Sequence, residues 1–140
     1  MLFMSKARQI VLRWLPALLV MLIIFLFSAR PQSELPDFDK ADRIVKKGAH
    51  IVGYALLAAA YWRALDFQHG EWWLAWCLAL LYAVTDEFHQ SFVPGRSPSV
   101  WDVLIFDNLG ALVSIFLLRL YKTQRSDSPG PIVERGKARS

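Results

Sequence analysis

The sequence predicts an all-α protein, a four-helix transmembrane bundle. Of its 140 residues, 55% are hydrophobic and only 20% are charged, which is too little polar surface for a soluble domain of this size. The apolar residues also gather in four stretches separated by polar clusters. This distribution excludes a disordered protein, and the single Cys77 excludes a disulfide scaffold.

The first apolar stretch, about residues 9–29, is long enough to cross a membrane, because a helix needs about 20 residues to span ~30 Å of hydrocarbon. Its one internal charge, Arg13, lies near an end, where its long side chain reaches the interface. A cleaved signal peptide is the alternative, since Lys6 and Arg8 form a basic start. Because the bulky Phe27 stands where cleavage requires a small residue, we favour a retained span.

Three further stretches predict spans at about residues 47–65, 72–92 and 101–121, so the membrane domain covers residues 9–121. Trp72, Trp101 and Tyr121 stand at the ends of these stretches, as interfacial aromatic residues do. Small residues, including Gly53 and Gly110, favour close helix packing. Residues 1–8 form a predicted N-terminal tail, and the polar residues 122–140 a disordered C-terminal tail.

The distribution of basic residues predicts the orientation. Four spans place both termini on one side of the membrane, and that side carries ten Lys and Arg against six on the other. Basic loops favour the cytoplasm, so we expect cytoplasmic termini and outward-facing first and third loops. The formal net charge of +4 is therefore assigned to contacts with membrane lipids. No nucleic-acid partner is predicted, because no stacking aromatic residues interleave with the basic residues outside the spans.

Polar side chains cluster toward one end of spans two, three and four. Charged groups within a span are costly and usually face a bundle interior, a cavity or an interface. In span two, Lys47, His50 and Tyr54 share one helix face, because they are three and seven residues apart. In span three, Asp86 and Gln90 share a face, and Glu87 points about 100° away from Asp86.

The third loop and the start of span four extend this cluster. Arg96 follows a Pro-Gly turn that holds its side chain near the span ends, and Asp102 and Asp107 open the fourth span. Five residues turn a regular helix through about 140°, so these two acids share a face only if a π-bulge intervenes near Phe106. We expect an outward-facing polar pocket formed by spans two to four and this loop.

The sequence resembles the VanZ-like membrane proteins in three motifs: KGAHIVGY at 47–54, DEFHQSFVPGR at 86–96 and DVLIFDNLG at 102–110. In that family an acid often precedes the motif lysine, where this chain has Lys46, and the two acids of the last motif stand one turn apart. The resemblance implies a bacterial multi-pass protein of the inner membrane. It also implies kinship with a founding member that is an accessory glycopeptide-resistance protein, affecting teicoplanin more than vancomycin.

The predicted ligand-binding residues are Lys47, His50, Tyr54, Asp86, Glu87, Gln90, Arg96, Asp102 and Asp107. The first hypothesis is recognition of an anionic envelope component, such as a lipid-linked wall precursor or a glycopeptide-related ligand, with Lys47 and Arg96 meeting its phosphate or carboxylate. The second is a hydrolase or transferase with Glu87 as general base and His50 stabilising negative charge. The third is a structural or assembly subunit without a ligand.

No cofactor is predicted, and no metal site. No helix carries two histidines four residues apart, and the chain contains no His-Glu-x-x-His pattern. Whether any reaction is catalysed, and the oligomeric state, are left open by the sequence.

Overall fold

The computed structural model describes residues 6–36, 38, 41–68 and 70–126. It contains four α-helices: α1 (Lys6–Ser28), α2 (Asp42–Ala64), α3 (Trp72–Gln90) and α4 (Asn108–Ser126). A short 3₁₀ turn at Gln32–Glu34 follows α1, and a π-helical segment at Asp102–Asp107 leads directly into α4. No strand occurs among the described residues. The prediction of an all-α four-helix bundle is therefore confirmed.

Three helices extend beyond the predicted spans, and the first, α1, begins at Lys6 within the predicted N-terminal tail. Helix α2 begins at Asp42 and α4 continues to Ser126, so residues 122–126 are helical and do not belong to a disordered tail. The end of α4 is held because Lys122 Nζ donates to the carbonyl of Phe67 at 2.9 Å and lies 4.7 Å from the centre of that ring. The rest of the predicted C-terminal tail, 127–140, and residues 1–5 of the N-terminal tail lie outside the described residues.

Helix α2 is the centre of the bundle and packs against the other three helices. Its Leu57 and Ala58 are fully buried, as is nearly all of Trp62. Helix α3 contributes a ridge of alanines four residues apart (Ala75, Ala79, Ala83), all without exposed surface. Because alanine side chains are short, this ridge lets α3 approach the core closely.

Gly110 marks the closest approach of α4 to α2. A Cβ atom at this position would overlap the backbone carbonyl of Ile51, so only glycine fits. The predicted role of Gly110 in close packing is confirmed. The approach matters for the site, because it fixes the π-helical segment against the first turns of α2. At Gly53, by contrast, a Cβ atom would make an ordinary contact with Ile24.

The outer surface of the bundle is apolar. Two helical stretches, Lys6–Ser28 and Asp102–Arg125, are long and apolar enough to cross a membrane. Leu18, Leu22 and Leu26 on α1 are about half exposed, as lipid-facing side chains are. Helices α2 and α3 are continuous, but polar residues predicted for the pocket lie within them and shorten their apolar stretches.

Candidate functional site

A cleft of about 390 Å³ opens at one end of the bundle, where α1 and α3 end and α2 and the π-helical segment begin. Its lining residues are Gln32, Asp42, Lys46, Lys47, His50, Glu87, Gln90, Gly95, Arg96, Ser97 and Asp102. Six of the nine predicted site residues therefore line it. The other three, Tyr54, Asp86 and Asp107, are buried and hydrogen-bonded to residues of this group or to one another.

An ion pair and a hydrogen bond join α2 to the π-helical segment. Lys47 Nζ lies 3.2 Å from Asp102 Oδ1, and His50 Nδ1 lies 3.1 Å from Asp107 Oδ1. A π-helix joins residues five apart by hydrogen bonds, so it aligns Asp102 and Asp107 on the side that faces α2. The structure thus contains a π-helical turn, which the five-residue spacing requires if the two acids are to share a helix face. Lys47 Nζ also lies 4.1 Å from the centre of the Phe106 ring.

Asp86 is the centre of a buried hydrogen-bond network, and only 4% of its surface is exposed. Its Oδ2 accepts hydrogen bonds from Ser28 Oγ at 2.8 Å, Gln90 Nε2 at 2.9 Å and Tyr54 Oη at 3.3 Å. The network therefore joins α1, α2 and α3. These contacts give Asp86, Tyr54 and Gln90 a role in holding the helices below the cleft.

Ser28 does not belong to the predicted site, which consists of residues of spans two to four and the third loop. It is the last residue of α1 and is buried beside Asp86. Its weak signal in the sequence is a small hydroxyl residue at the end of an otherwise apolar stretch. Gln32, from the turn after α1, reaches the cleft as well. Helix α1 is therefore part of the site.

Asp42 and Lys46, also outside the predicted set, form an ion pair of 2.6 Å along the first turns of α2. They are four residues apart, so their side chains meet on one helix face. Both line the cleft. Lys46 directly precedes Lys47, and Asp42 supplies a carboxylate one turn before Lys46.

Glu87 lines the cleft and contacts the loop between α3 and the π-helical segment. Its Oε2 accepts the backbone N–H of Ser99 at 2.8 Å, which holds the connection between α3 and the π-helical segment. Glu87 also belongs to a cluster with His50 and Asp107, in which one oxygen or nitrogen from each residue lies within 4.8 Å of the others. One carboxylate thus faces both a loop amide and the cluster.

Arg96 binds the C-terminal end of α1. Its Nη2 donates to the carbonyl of Phe27 at 2.6 Å and its Nε to the carbonyl of Arg30 at 3.2 Å. The bond to Phe27 satisfies a carbonyl of the last turn of α1, which a helix end leaves without an internal partner, and the bond to Arg30 holds the chain just after the helix. Burial lowers the pKa of the Arg96 guanidinium, and the nearby carboxylates of Asp86 and Glu87 oppose that shift. Arg96 therefore organises the cleft by joining its loop to α1.

Gly95 permits this placement. Its φ of +75° lies in the left-handed region, which residues with a side chain rarely adopt. A Cβ atom there would also stand 3.1 Å from Gln32 Cβ. The Pro-Gly-Arg turn is therefore shaped by backbone conformation and by close packing against the turn after α1.

The charges of the site do not balance. Among the described residues in and directly below the cleft are five carboxylates (Asp42, Asp86, Glu87, Asp102, Asp107) and three permanent cations (Lys46, Lys47, Arg96). Even a protonated His50 leaves one carboxylate in excess. A buried carboxylate without a cationic partner is costly, so this surplus favours a positively charged ligand near the cluster.

A model of the VanZ/LLP1 family matches residues 4–122, which includes all four helices up to the last turn of α4. The chain belongs to the VanZ/LLP1 family. This match confirms the resemblance carried by the three motifs, all of which lie within the matched region. Each motif also contributes residues that line the cleft. The VanZ family is membrane-associated, in agreement with the two apolar helices. Searches of curated proteins and of solved structures found no significant match.

Proposed function

We propose that this VanZ/LLP1 protein spans the bacterial inner membrane four times, with cytoplasmic termini, and that its cleft faces outward to recognise an anionic component of the cell envelope. The observation that carries the proposal is the meeting of Lys46 and Lys47 in one cleft whose mouth is held by Arg96. A lipid-linked wall precursor or a glycopeptide-related ligand offers the phosphate or carboxylate that these cations bind.

The lysines retain the capacity to bind such a group. Lys47 Nζ has three N–H donors, of which Asp102 takes one, and about a third of the Lys47 side chain is exposed. Lys46 Nζ donates to Asp42 in the same cleft, its one partner among the described residues. An incoming phosphate or carboxylate adds hydrogen bonds to these ammonium groups and replaces the water that otherwise solvates them.

A ligand with a lipid tail suits the surroundings of the cleft. Phe88, Phe92 and Trp101, at the same end of the bundle, each expose more than two thirds of their surface. Large aromatic side chains at this level favour the boundary between headgroups and acyl chains. A lipid-linked molecule would place its anionic head in the cleft and its tail along the apolar outer surface.

A second candidate function is hydrolysis or group transfer with Glu87 as general base. The observation that favours it is the hydrogen bond between His50 and Asp107. A carboxylate bonded to one ring nitrogen orients the imidazole for acid–base chemistry beside Glu87. Glu87→Gln separates the candidates. In an enzyme it abolishes turnover at normal abundance, in a binding protein it weakens affinity, and in a structural subunit it lowers abundance in the membrane.

The outward orientation is tested at Ser97, an exposed residue that lines the cleft. In a Cys77→Ser background, Ser97→Cys is expected to react with a membrane-impermeant maleimide in intact cells. The matched control is Gln68→Cys, exposed in the connection between α2 and α3 at the opposite end of the bundle. It is expected to react only after permeabilisation. The reverse pattern would overturn the orientation and with it the envelope ligand.

A further inference from the structure

We propose that His50, Glu87 and Asp107 form a binding site for a divalent transition-metal ion of the zinc type. The three residues come from α2, α3 and the π-helical segment, and one ligand atom from each lies within 4.8 Å of the other two. One imidazole and two carboxylates form a donor set that zinc accepts. This proposal is independent of the proposed recognition of an anionic envelope component, because binding of the metal ion can be measured without that component.

Asp107 provides an independent indication of a missing partner. Only 1% of its surface is exposed, and its Oδ2 has no hydrogen-bond partner among the described residues, although Oδ1 is bonded to His50. A buried carboxylate oxygen normally has a partner, because burial without one costs free energy. A metal ion bound by Asp107 would supply that interaction and would also neutralise the surplus of carboxylates around the cluster.

The distances require only a modest contraction. Ligand atoms of a tetrahedral zinc lie about 3.4 Å apart when the bonds are about 2.0–2.1 Å long. His50 Nδ1 and Asp107 Oδ1 share a hydrogen bond at 3.1 Å, and a metal ion bound by both would replace the shared proton, while the ligand atoms of the whole cluster lie within 4.8 Å of one another. Contraction of the longest of these separations by roughly an ångström therefore closes the site.

The neighbours of the cluster support the same assignment. Glu87 Oε2 accepts the N–H of Ser99, which fixes the carboxylate and leaves its other oxygen for a metal. His50 and Glu87 both line the cleft, whereas Asp107 lies beneath it. Three protein ligands leave a fourth position of a zinc ion open. That position would face the cleft, where it takes water or an anionic oxygen.

The test uses the full-length chain in lipid nanodiscs, without a histidine tag and in a Cys77→Ser background, so that neither a tag nor the thiol binds metal. After treatment with a chelator, Zn²⁺ binding is measured by equilibrium dialysis. The expected result is saturable binding that His50→Ala, Glu87→Gln and Asp107→Asn each weaken at least about a hundredfold, as loss of a direct ligand does. Mg²⁺ in tenfold excess is expected not to displace Zn²⁺.

Two matched controls make the assignment specific. His89→Ala removes a histidine that packs on Phe25 outside the cluster, at 4.8 Å between ring centres, and Asp66→Asn removes a carboxylate paired with Arg13 at 3.2 Å at the opposite end of the bundle. Both are expected to retain Zn²⁺ affinity. X-ray absorption of the wild-type complex is expected to show one nitrogen and two or more oxygen ligands.

A folding defect is distinguished by the thermal midpoint. Zn²⁺ is expected to raise the midpoint of the wild-type chain and of both controls, but not that of Glu87→Gln. This variant keeps an oxygen that can accept the Ser99 N–H and is therefore expected to fold. Absence of saturable Zn²⁺ binding by the wild type, or an equal loss in His89→Ala, would overturn the metal site while leaving the anion-binding proposal untouched.

Discussion

Ser28 illustrates how a single buried hydroxyl connects the first helix to the site. Its Oγ donates to Asp86 Oδ2 at 2.8 Å and lies 3.3 Å from Gln90 Nε2, which donates to it. Without the hydroxyl, Asp86 keeps two donors, but its carboxylate is less well solvated by the protein. Hydrogen bonds to a charged group contribute about 1.5–3 kcal/mol, more than those between neutral groups.

We therefore expect Ser28→Ala to lower the free energy of unfolding by about 1–3 kcal/mol. Denaturant unfolding in detergent, followed by tryptophan fluorescence, measures the change. Ser33→Ala, at an exposed position in the 3₁₀ turn, is the control and is expected to be within about 0.5 kcal/mol of the wild type. An equally small effect of Ser28→Ala would show that the Asp86 network does not stabilise the bundle.

The residues of the site differ in how far the sequence could predict them. Lys47, His50 and Tyr54 were placed together because helical spacing alone puts them on one face. The meeting of His50 with Glu87 and Asp107 depends on the rotation of three helices about their axes, which no local pattern encodes. For this reason the sequence predicted no metal site, although the fold brings three suitable ligands together.

At the scale of elements, the π-helical segment lets Asp102 and Asp107 face the same helix although they are five residues apart. An α-helix aligns residues about four apart, and the wider π turn aligns two that are five apart. Both acids contact α2, where Asp102 meets Lys47 and Asp107 meets His50. The π turn thus compensates for the five-residue spacing.

This interpretation predicts that deleting Leu104, which is more than half exposed, converts the segment to an α-helix and preserves the contacts of both acids with α2. The free energy of unfolding is expected to change by about 1 kcal/mol or less. Deleting Leu112, an exposed residue within the regular part of α4, is the matched control. It rotates one part of α4 by about 100° relative to the other and is expected to destabilise the bundle by several kcal/mol. Equal destabilisation by the two deletions would contradict the interpretation.

The whole molecule has two chemically different ends. At the cleft end, five carboxylates and three permanent cations lie among four converging helix ends. At the opposite end, basic side chains bind backbone carbonyls: Arg63 Nη1 donates to the carbonyl of Arg13, and Lys122 Nζ to that of Phe67. Composition and apolar stretches were enough to predict the four helices and this asymmetry. The contribution of α1 could not be predicted, because it consists of one serine side chain, a backbone carbonyl that Arg96 binds and Gln32 in the turn that follows.

The position of Lys47 in the cleft predicts where an anionic lipid binds. In nanodiscs of zwitterionic lipid containing a polyprenyl monophosphate, Lys47→Gln is expected to weaken binding of that lipid at least about tenfold. A charge-assisted hydrogen bond contributes about 1.5–3 kcal/mol, and 1.4 kcal/mol corresponds to a factor of ten. Since the Lys47–Asp102 pair is partly exposed, its loss is expected to change the free energy of unfolding by no more than about 1 kcal/mol.

Lys122→Gln, which removes a cation at the opposite end, is the control for general attraction between bases and anionic lipid, and it is expected to bind as the wild type does. Equal weakening by the two variants would mean that the lipid is attracted by net charge and not by the cleft. A normal affinity of Lys47→Gln combined with reduced abundance in the membrane would favour the structural subunit instead, because Lys47 would then serve only to hold α2 to the π-helical segment.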